Sequence, residues 1–287
     1  MEVSRTNSKQ NSYKKPNILG SFKAQAAMSL PMVAVLPANL LIIKGMSKAN
    51  AGLTKDQVEL VNKGSEKVLS ELTNLKTKGV GIIDASNRDN LSCLTDSVPQ
   101  IKKLPKTIVN MLSPADAAAN GANAFFNSSN NSVTYNKEKF SLSAFHELGH
   151  AFNFNNSAFW KTMQQSRMPL MLVASLIAMI PAITKEAKAQ DGKELTTGQK
   201  AKNFIRNSAP VASTVTMFGV VAEEAMATIR GNQWAKQVLD STLAKKVAKT
   251  NAIGLASYAL SAVALGVGAY IAKKVKDASD EKRANKA

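Results

Sequence analysis

The sequence predicts a mainly α-helical protein with one small β-hairpin, an α+β architecture that includes about four transmembrane or membrane-associated helices. Three observations support this fold class. Four stretches lack charged residues, amphipathic helical patterns occupy much of the chain between them, and a single short stretch favours strands. With 287 residues, 45% of them hydrophobic, the chain is able to bury a substantial core.

The charge-free stretches define the predicted membrane segments. They are a first segment at 24–44, a helical hairpin at 168–222 with a polar loop at 185–206, and a last segment at 251–272. Only the last clearly reaches the ~20 residues that cross a bilayer. Two alternatives remain: prolines in several stretches favour core helices of a soluble protein, and Ala49-Asn50-Ala51 has the form of a signal-peptide cleavage site.

The region 45–167 has the composition of a soluble domain. Thr54-Lys55-Asp56-Gln57 is a capping-box pattern that opens an amphipathic helix, and a second helix is predicted at 101–112. The turn-rich residues 127–131 separate two β-favouring runs and therefore predict a hairpin. We expect the strand around Val133 to offer an exposed edge on which an extended peptide can pair.

Lysine and arginine outnumber acidic residues by 37 to 20, which gives a formal charge of +17 and basic tails at 1–23 and 273–287. This charge favours anionic partners such as a lipid bilayer. Nucleic acid is not expected as a partner, because the lysines are dispersed along the chain and the aromatic residues do not interleave with a basic cluster. The single cysteine, Cys93, excludes an internal disulfide and any multi-cysteine metal site.

The chemistry of the chain is concentrated in its two histidines. His146-Glu147-Leu148-Gly149-His150 is an HExxH motif. On a helix, positions i and i+4 share one face, so both imidazoles are able to reach one zinc ion while Glu147 points toward a metal-bound water. Ser141 or Ser143 is positioned to cap this helix.

A catalytic zinc ion usually has three protein ligands, so one more is required, and no third histidine exists. Asn153 and Asn156 occupy the positions at which an extended metzincin motif would need glycine and histidine. Glu223 and Glu224 follow the third apolar stretch and open a predicted third-ligand helix at 223–250. A helical hairpin at 168–222 returns these two carboxylates to the side of the membrane where the histidines lie.

The order of an HExxH helix, two apolar segments and a helical Glu-x-x-Ala sequence resembles the membrane-embedded gluzincin metallopeptidases, which include the heat-shock membrane protease and the CAAX prenyl proteases. The resemblance covers about 140–231. It implies a zincin-like catalytic core in which Glu224, the first residue of Glu224-Ala225-Met226-Ala227, is the third zinc ligand, with Glu223 as the alternative. Thr228 stands where the family has an aspartate that orients the site.

These observations predict a zinc-dependent membrane metalloendopeptidase that hydrolyses polypeptides at a membrane. Glu147 is the predicted general base, and Tyr135 or Arg230 is a candidate for stabilising the developing oxyanion, although Tyr135 also fits a packed strand position and Arg230 an interfacial anchor. The alternative is a non-catalytic membrane anchor or scaffold with a structural or degenerate zinc site. The distribution of lysine and arginine favours an extracytoplasmic site.

Overall fold

The computed structural model of the protein describes residues 22–27, 29, 44–46, 48–91, 113–189 and 193–285. It is mostly helical with one small sheet, which confirms the predicted combination of helices and a minor β-component. The helices are α1 (Lys55–Lys67), α2 (Pro114–Ala119), α3 (Ala144–Asn156), α4 (Ala158–Gln165), α5 (Arg167–Ile183), α6 (Thr197–Thr216), α7 (Phe218–Val238) and α8 (Ser241–Ala284). The strands are β1 (Gly81–Asp84), β2 (Ala124–Asn127) and β3 (Ser132–Tyr135).

Helix α1 begins at the predicted capping box. The Thr54 hydroxyl accepts a hydrogen bond from the Gln57 backbone, and the Gln57 side chain accepts one from the Thr54 backbone. A π-helical turn at Val68–Leu72 extends the helix. The second predicted helix, at 101–112, lies outside the described residues, as do most of the first apolar segment and nearly all of the N-terminal tail.

The sheet contains the predicted hairpin and one additional strand. Strands β2 and β3 pair antiparallel across the turn, with Ala124 opposite Tyr135. Strand β1 joins β3 in parallel, so the order is β1-β3-β2. The prediction of an exposed edge at Val133 is therefore wrong, because β3 is the central strand and its backbone is paired on both sides.

Helix α3 lies against this sheet in the main hydrophobic core. Its residues Phe145, Leu148 and Ala151 are fully buried. They pack with side chains from α1, the sheet and α8, among them Val61, Val133, Tyr135 and Val247. The predicted serine cap is wrong: Ser143 makes no side-chain cap, and the Ser141 hydroxyl donates instead to Asn50 Oδ1 at 3.0 Å.

Helices α5, α6 and α8 form a bundle beyond this core, and they differ from the predicted membrane segments in several ways. The stretch 207–222 is not one helix, because the chain breaks at Met217 between α6 and α7. The loop after α5 is shorter than 185–206, since α6 already begins at Thr197. Helix α8 runs through both the last apolar segment and most of the predicted basic tail.

The expectation of about four membrane helices is not met. Within the residues described, one helix, α8, is long and apolar enough to cross a bilayer, and a second candidate exists if α4 and α5, bent by 53°, are counted as one span. Helix α5 alone has only 17 residues. Helix α6 carries Lys200, Lys202 and Arg206 in its first half, which lowers its hydropathy.

Candidate metal centre

Helix α3 presents the two histidines one turn apart. The ring of His150 is edge-on to that of His146, with centroids 4.6 Å apart. His150 is 6% exposed and Glu147 is 7% exposed. Because the opposite face of α3 is packed into the hydrophobic core, these side chains project from a rigid helix.

Helix α7 supplies the two carboxylates, and glycines let it approach α3 closely. Gly149 packs against the backbone of Ala227, and a Cβ atom there would lie 2.8 Å from the Ala227 carbonyl carbon. A Cβ atom on Gly231 would lie 2.5 Å from the Phe145 carbonyl oxygen. No side chain fits at either point, so the helices cross nearly backbone to backbone, and Glu223 and Glu224 lie opposite the histidines.

Three potential ligand atoms converge at this crossing. His146 Nε2 lies 3.0 Å from His150 Nε2 and 3.0 Å from Glu224 Oε2, and the distance from His150 Nε2 to Glu224 Oε2 is 3.4 Å. Ligands bound to zinc at 2.0–2.1 Å with tetrahedral angles lie roughly 3.3 Å apart. The triangle thus has the size of one face of a zinc tetrahedron, and two imidazoles with one carboxylate fit this metal.

This cluster of His146, His150 and Glu224 is the one group in the described part of the chain that meets the criteria for holding a metal ion. Of the two adjacent carboxylates, Glu224 belongs to it and Glu223 does not.

Glu223 instead contacts the far side of His150. Its Oε1 lies 2.9 Å from His150 Nδ1. Since an ionised carboxylate only accepts hydrogen bonds, Nδ1 carries the proton and donates it, which leaves the Nε2 lone pair facing the cluster. Metal-bound histidines in proteins are commonly oriented by a carboxylate in this way.

Thr228 performs the corresponding task for the other histidine. Its hydroxyl oxygen lies 3.2 Å from His146 Nδ1 and is able to accept the Nδ1 proton. With its Nδ1 proton held by the Thr228 hydroxyl, His146 has its Nε2 directed at Glu224.

Sequence reasoning missed three polar residues that hold Glu223. Asn153 and Gln164 donate to Glu223 Oε1 at 3.2 and 2.7 Å, and Arg167 donates to Glu223 Oε2 at 3.3 Å. Gln164 also donates to the His150 carbonyl at 2.9 Å. Asn153 lies one turn after His150 on the same helix face, so its position in the sequence could have indicated this contact. Gln164 and Arg167 belong to α4 and α5, and no spacing in the sequence relates them to Glu223.

The electrostatics of the site favour the metal-binding forms of its side chains. Burial, reinforced by the neighbouring His150, lowers the pKa of His146 to about 4, so this imidazole is neutral near pH 7. Burial alone would raise the pKa of Glu223, but His150, Gln164 and Arg167 lower it to about 2. Glu223 is therefore ionised and available as an acceptor for His150.

Glu147 is buried without a polar partner. Neither a hydrogen bond nor an ion pair joins its carboxylate to another residue in the described ranges. Glu147 follows His146 directly, and its negative charge partly opposes the lowering of the His146 pKa. Its oxygens are not among the enclosed side-chain atoms that lack a partner, so they remain in contact with solvent at the site.

The two predicted oxyanion candidates make contacts with residues other than the three potential ligands. Tyr135 is fully buried in the core, where its hydroxyl is 3.1 Å from Ser65 Oγ and donates to Asn62 Oδ1 at 3.3 Å. The Arg230 guanidinium lies over the Phe152 ring, 4.4 Å from its centroid. Within the described residues, neither side chain makes a hydrogen bond or ion pair with His146, His150 or Glu224.

Comparisons of the chain with protein-family models, with curated proteins and with solved structures give no match. The geometry of the cluster is therefore the basis for a functional assignment.

Proposed function

We propose that the protein is a zinc-dependent peptidase that acts at a membrane. The observation that carries the proposal is the zinc-sized triangle of His146 Nε2, His150 Nε2 and Glu224 Oε2, with the unpaired Glu147 carboxylate on the same helix. A structural zinc site has no use for a buried acid between its two histidines. The same acid is the proton acceptor of HExxH peptidases.

Each of the surrounding residues has a definite task in this proposal. Zinc would supply a polarised water and a positive charge for the carbonyl oxygen. Glu147 accepts the proton of the attacking water on its free carboxylate and later donates it to the leaving amine. Glu223 and Thr228 keep the two imidazoles in the tautomer that binds metal.

The distribution of side-chain size in the bundle supports a location in a membrane. The buried faces of α5, α6 and α8 consist mainly of small residues: Ala174, Ala178, Ala182, Ala209, Ser213, Ala262, Gly266, Ala269 and Ala272. Their outer faces carry large exposed hydrophobic residues: Met168, Leu172, Leu176, Phe204, Val211, Val215, Val263 and Val267. Soluble proteins have the opposite arrangement.

Small residues inside and large apolar residues outside are typical of helices packed within lipid. We infer that α8 crosses the bilayer and that the outer faces of α5 and α6 contact lipid beside it. A peptidase anchored in this way would act on polypeptides in or near the membrane.

The assignment is tested with wild-type protein and the Glu147→Gln variant, both purified from the membrane fraction. Zinc content and cleavage of casein or of the chain itself are measured. We expect both proteins to bind one zinc ion and only the wild type to cleave. Glu194→Gln is the matched control, because the Glu194 side chain is 90% exposed and its one ion pair among the described residues is with Lys200.

Two outcomes would overturn the proposal. Equal cleavage by wild type and Glu147→Gln would remove the role of Glu147. Zinc binding without any cleavage by the wild type would favour the alternative, a membrane anchor with a structural or degenerate zinc site.

A further inference from the structure

Arg167 connects the metal centre to the helical bundle. It is the first residue of α5 and follows the break at Ser166 that separates α5 from α4. Its guanidinium donates to Glu223 Oε2 at 3.3 Å and also to Glu224 Oε1. The same group lies over the ring of Tyr258 in α8, with Cζ 5.3 Å from the centroid.

The two oxygens of Glu224 are used differently. Oε2 lies 3.0 Å from His146 Nε2 and 3.4 Å from His150 Nε2, while Oε1 accepts the hydrogen bond from Arg167. A carboxylate is able to bind a metal through one oxygen or through both. A charge-assisted hydrogen bond on Oε1 leaves a single oxygen directed at the metal position.

The number of oxygens that bind matters for catalysis. A catalytic zinc ion has three protein ligands and keeps its fourth position for water. If Glu224 contributed both oxygens, the second would compete with that water for the position beside Glu147. The residue that holds Oε1 therefore controls access of water to the metal.

The charges of the site require a cation at this place. Glu223 and Glu224 are 1% and 0% exposed, and buried charges without a partner are costly. Glu147, at 7% exposed, adds a third carboxylate whose oxygens still contact solvent. In the described ranges, Arg167 is the only lysine or arginine paired with Glu223 or Glu224. Together with a divalent metal ion it balances the three carboxylates.

We propose that Arg167 is a positioning residue that holds Glu224 as a one-oxygen ligand and so keeps the fourth metal position open for water. The proposal rests on the metal centre described under the proposed function. The guanidinium also lies 5.3 Å from the centroid of the Tyr258 ring, a second contact that helps to hold it in place beside the carboxylates.

The test replaces zinc with Co²⁺ in full-length wild type and in Arg167→Met. The visible absorption of Co²⁺ reports its coordination number, since its bands weaken as ligands are added. We expect both proteins to bind one Co²⁺, with weaker bands in Arg167→Met because Glu224 then binds through both oxygens. Cleavage by the zinc form of the variant should fall by about 10- to 100-fold.

Three further variants sharpen the comparison. Arg167→Lys retains a charged donor for Oε1 and should keep the wild-type spectrum. Arg167→Gln, whose amide is too short to reach Oε1, should behave like Arg167→Met and serves if the latter does not fold. Lys161→Met removes one exposed positive charge from the neighbouring α4, where Lys161 lies over Phe154, and should change neither spectrum nor cleavage.

The outcomes separate this proposal from the proposed function. Identical Co²⁺ spectra for wild type and Arg167→Met would overturn the role of Arg167, as would complete loss of Co²⁺ binding in a folded variant. A wild type that binds Co²⁺ and zinc but never cleaves would instead overturn the peptidase assignment, while the spectra would still decide the role of Arg167.

Discussion

Gly149 of α3 lies directly against the backbone of Ala227 in α7, with room for no side chain between them. Because this contact is made in the middle of the HExxH motif, it sets how closely the histidine helix approaches the carboxylate helix. Gly231 makes the matching contact with Phe145 one turn further along α7. The metal centre therefore depends on glycine, which has no side chain, at positions 149 and 231 as well as on its ligands.

Gly149→Ala is expected to force α3 and α7 apart. The added methyl group meets backbone atoms, which cannot rotate away, so we expect the free energy of unfolding to fall by about 1–3 kcal/mol. The displacement separates the imidazoles from Glu224 and should abolish stoichiometric zinc binding. Denaturant unfolding and metal analysis of the purified variant measure both effects.

Gly198→Ala is the matched control for this prediction. A Cβ atom at Gly198 meets nothing within 4 Å, and the residue lies in the exposed first turn of α6. The substitution should leave stability unchanged or raise it by up to about 1 kcal/mol. If Gly149→Ala retained both zinc and stability, the close helix crossing would not be required for the site.

Glu223→Gln and Glu224→Gln should differ in their effects on zinc, although the two residues are adjacent. Glu224 Oε2 belongs to the ligand triangle, so its replacement by a weakly ligating amide should abolish stoichiometric binding. Glu223 orients His150, so its replacement should weaken zinc affinity by about 10- to 100-fold without abolishing it. Titration against a chelator of known affinity ranks the two, and the reverse order would exchange their roles.

Thr228→Val should weaken zinc binding, whereas Thr228→Ser should not. Valine has nearly the shape of threonine but offers no acceptor to His146 Nδ1, so the imidazole is no longer held in the required tautomer. We expect an affinity loss of about tenfold or more for valine. Competition with a zinc chelator measures it, and equal affinities for the two variants would show that the hydroxyl is not needed.

The parts of this protein that sequence reasoning found are those encoded locally. The spacing of His146 and His150 defines a helix face, and the residues from Thr54 to Gln57 define a helix start. Strand β1 was missed because Gly-Ile-Ile-Asp is too short to show alternation. The length of α8 was underestimated because its polar end remains helical, with Lys276 paired to Asp280 one turn away.

The surroundings of the ligands could not be predicted for a different reason. Gln164 and Arg167 reach Glu223 from two helices that are bent by 53° at Ser166, and the Tyr135 hydroxyl is held in the core by Ser65 and Asn62. These relationships depend on how the helices and strands pack against one another. The hydrophobic periodicity within one segment does not indicate such contacts. Thr228 shows the same limit, since its role follows from the crossing of α3 and α7.

The lipid-facing surface is tested by placing a charge on the outer face of α6. Val211 is 67% exposed, so if that face were in water Val211→Arg would change stability by at most about 0.5 kcal/mol. Facing lipid, the same substitution costs about 2.5–3.5 kcal/mol near the centre of a membrane helix. We therefore expect Val211→Arg to lower the amount of protein that resists alkaline extraction from membranes.

Ala201→Arg, at the exposed and lysine-rich start of α6, should be extracted like the wild type. Equal extraction of the two variants would contradict contact between α6 and lipid, and it would leave the candidate spans among the described residues, α8 and the bent α4–α5 pair, untested by this substitution.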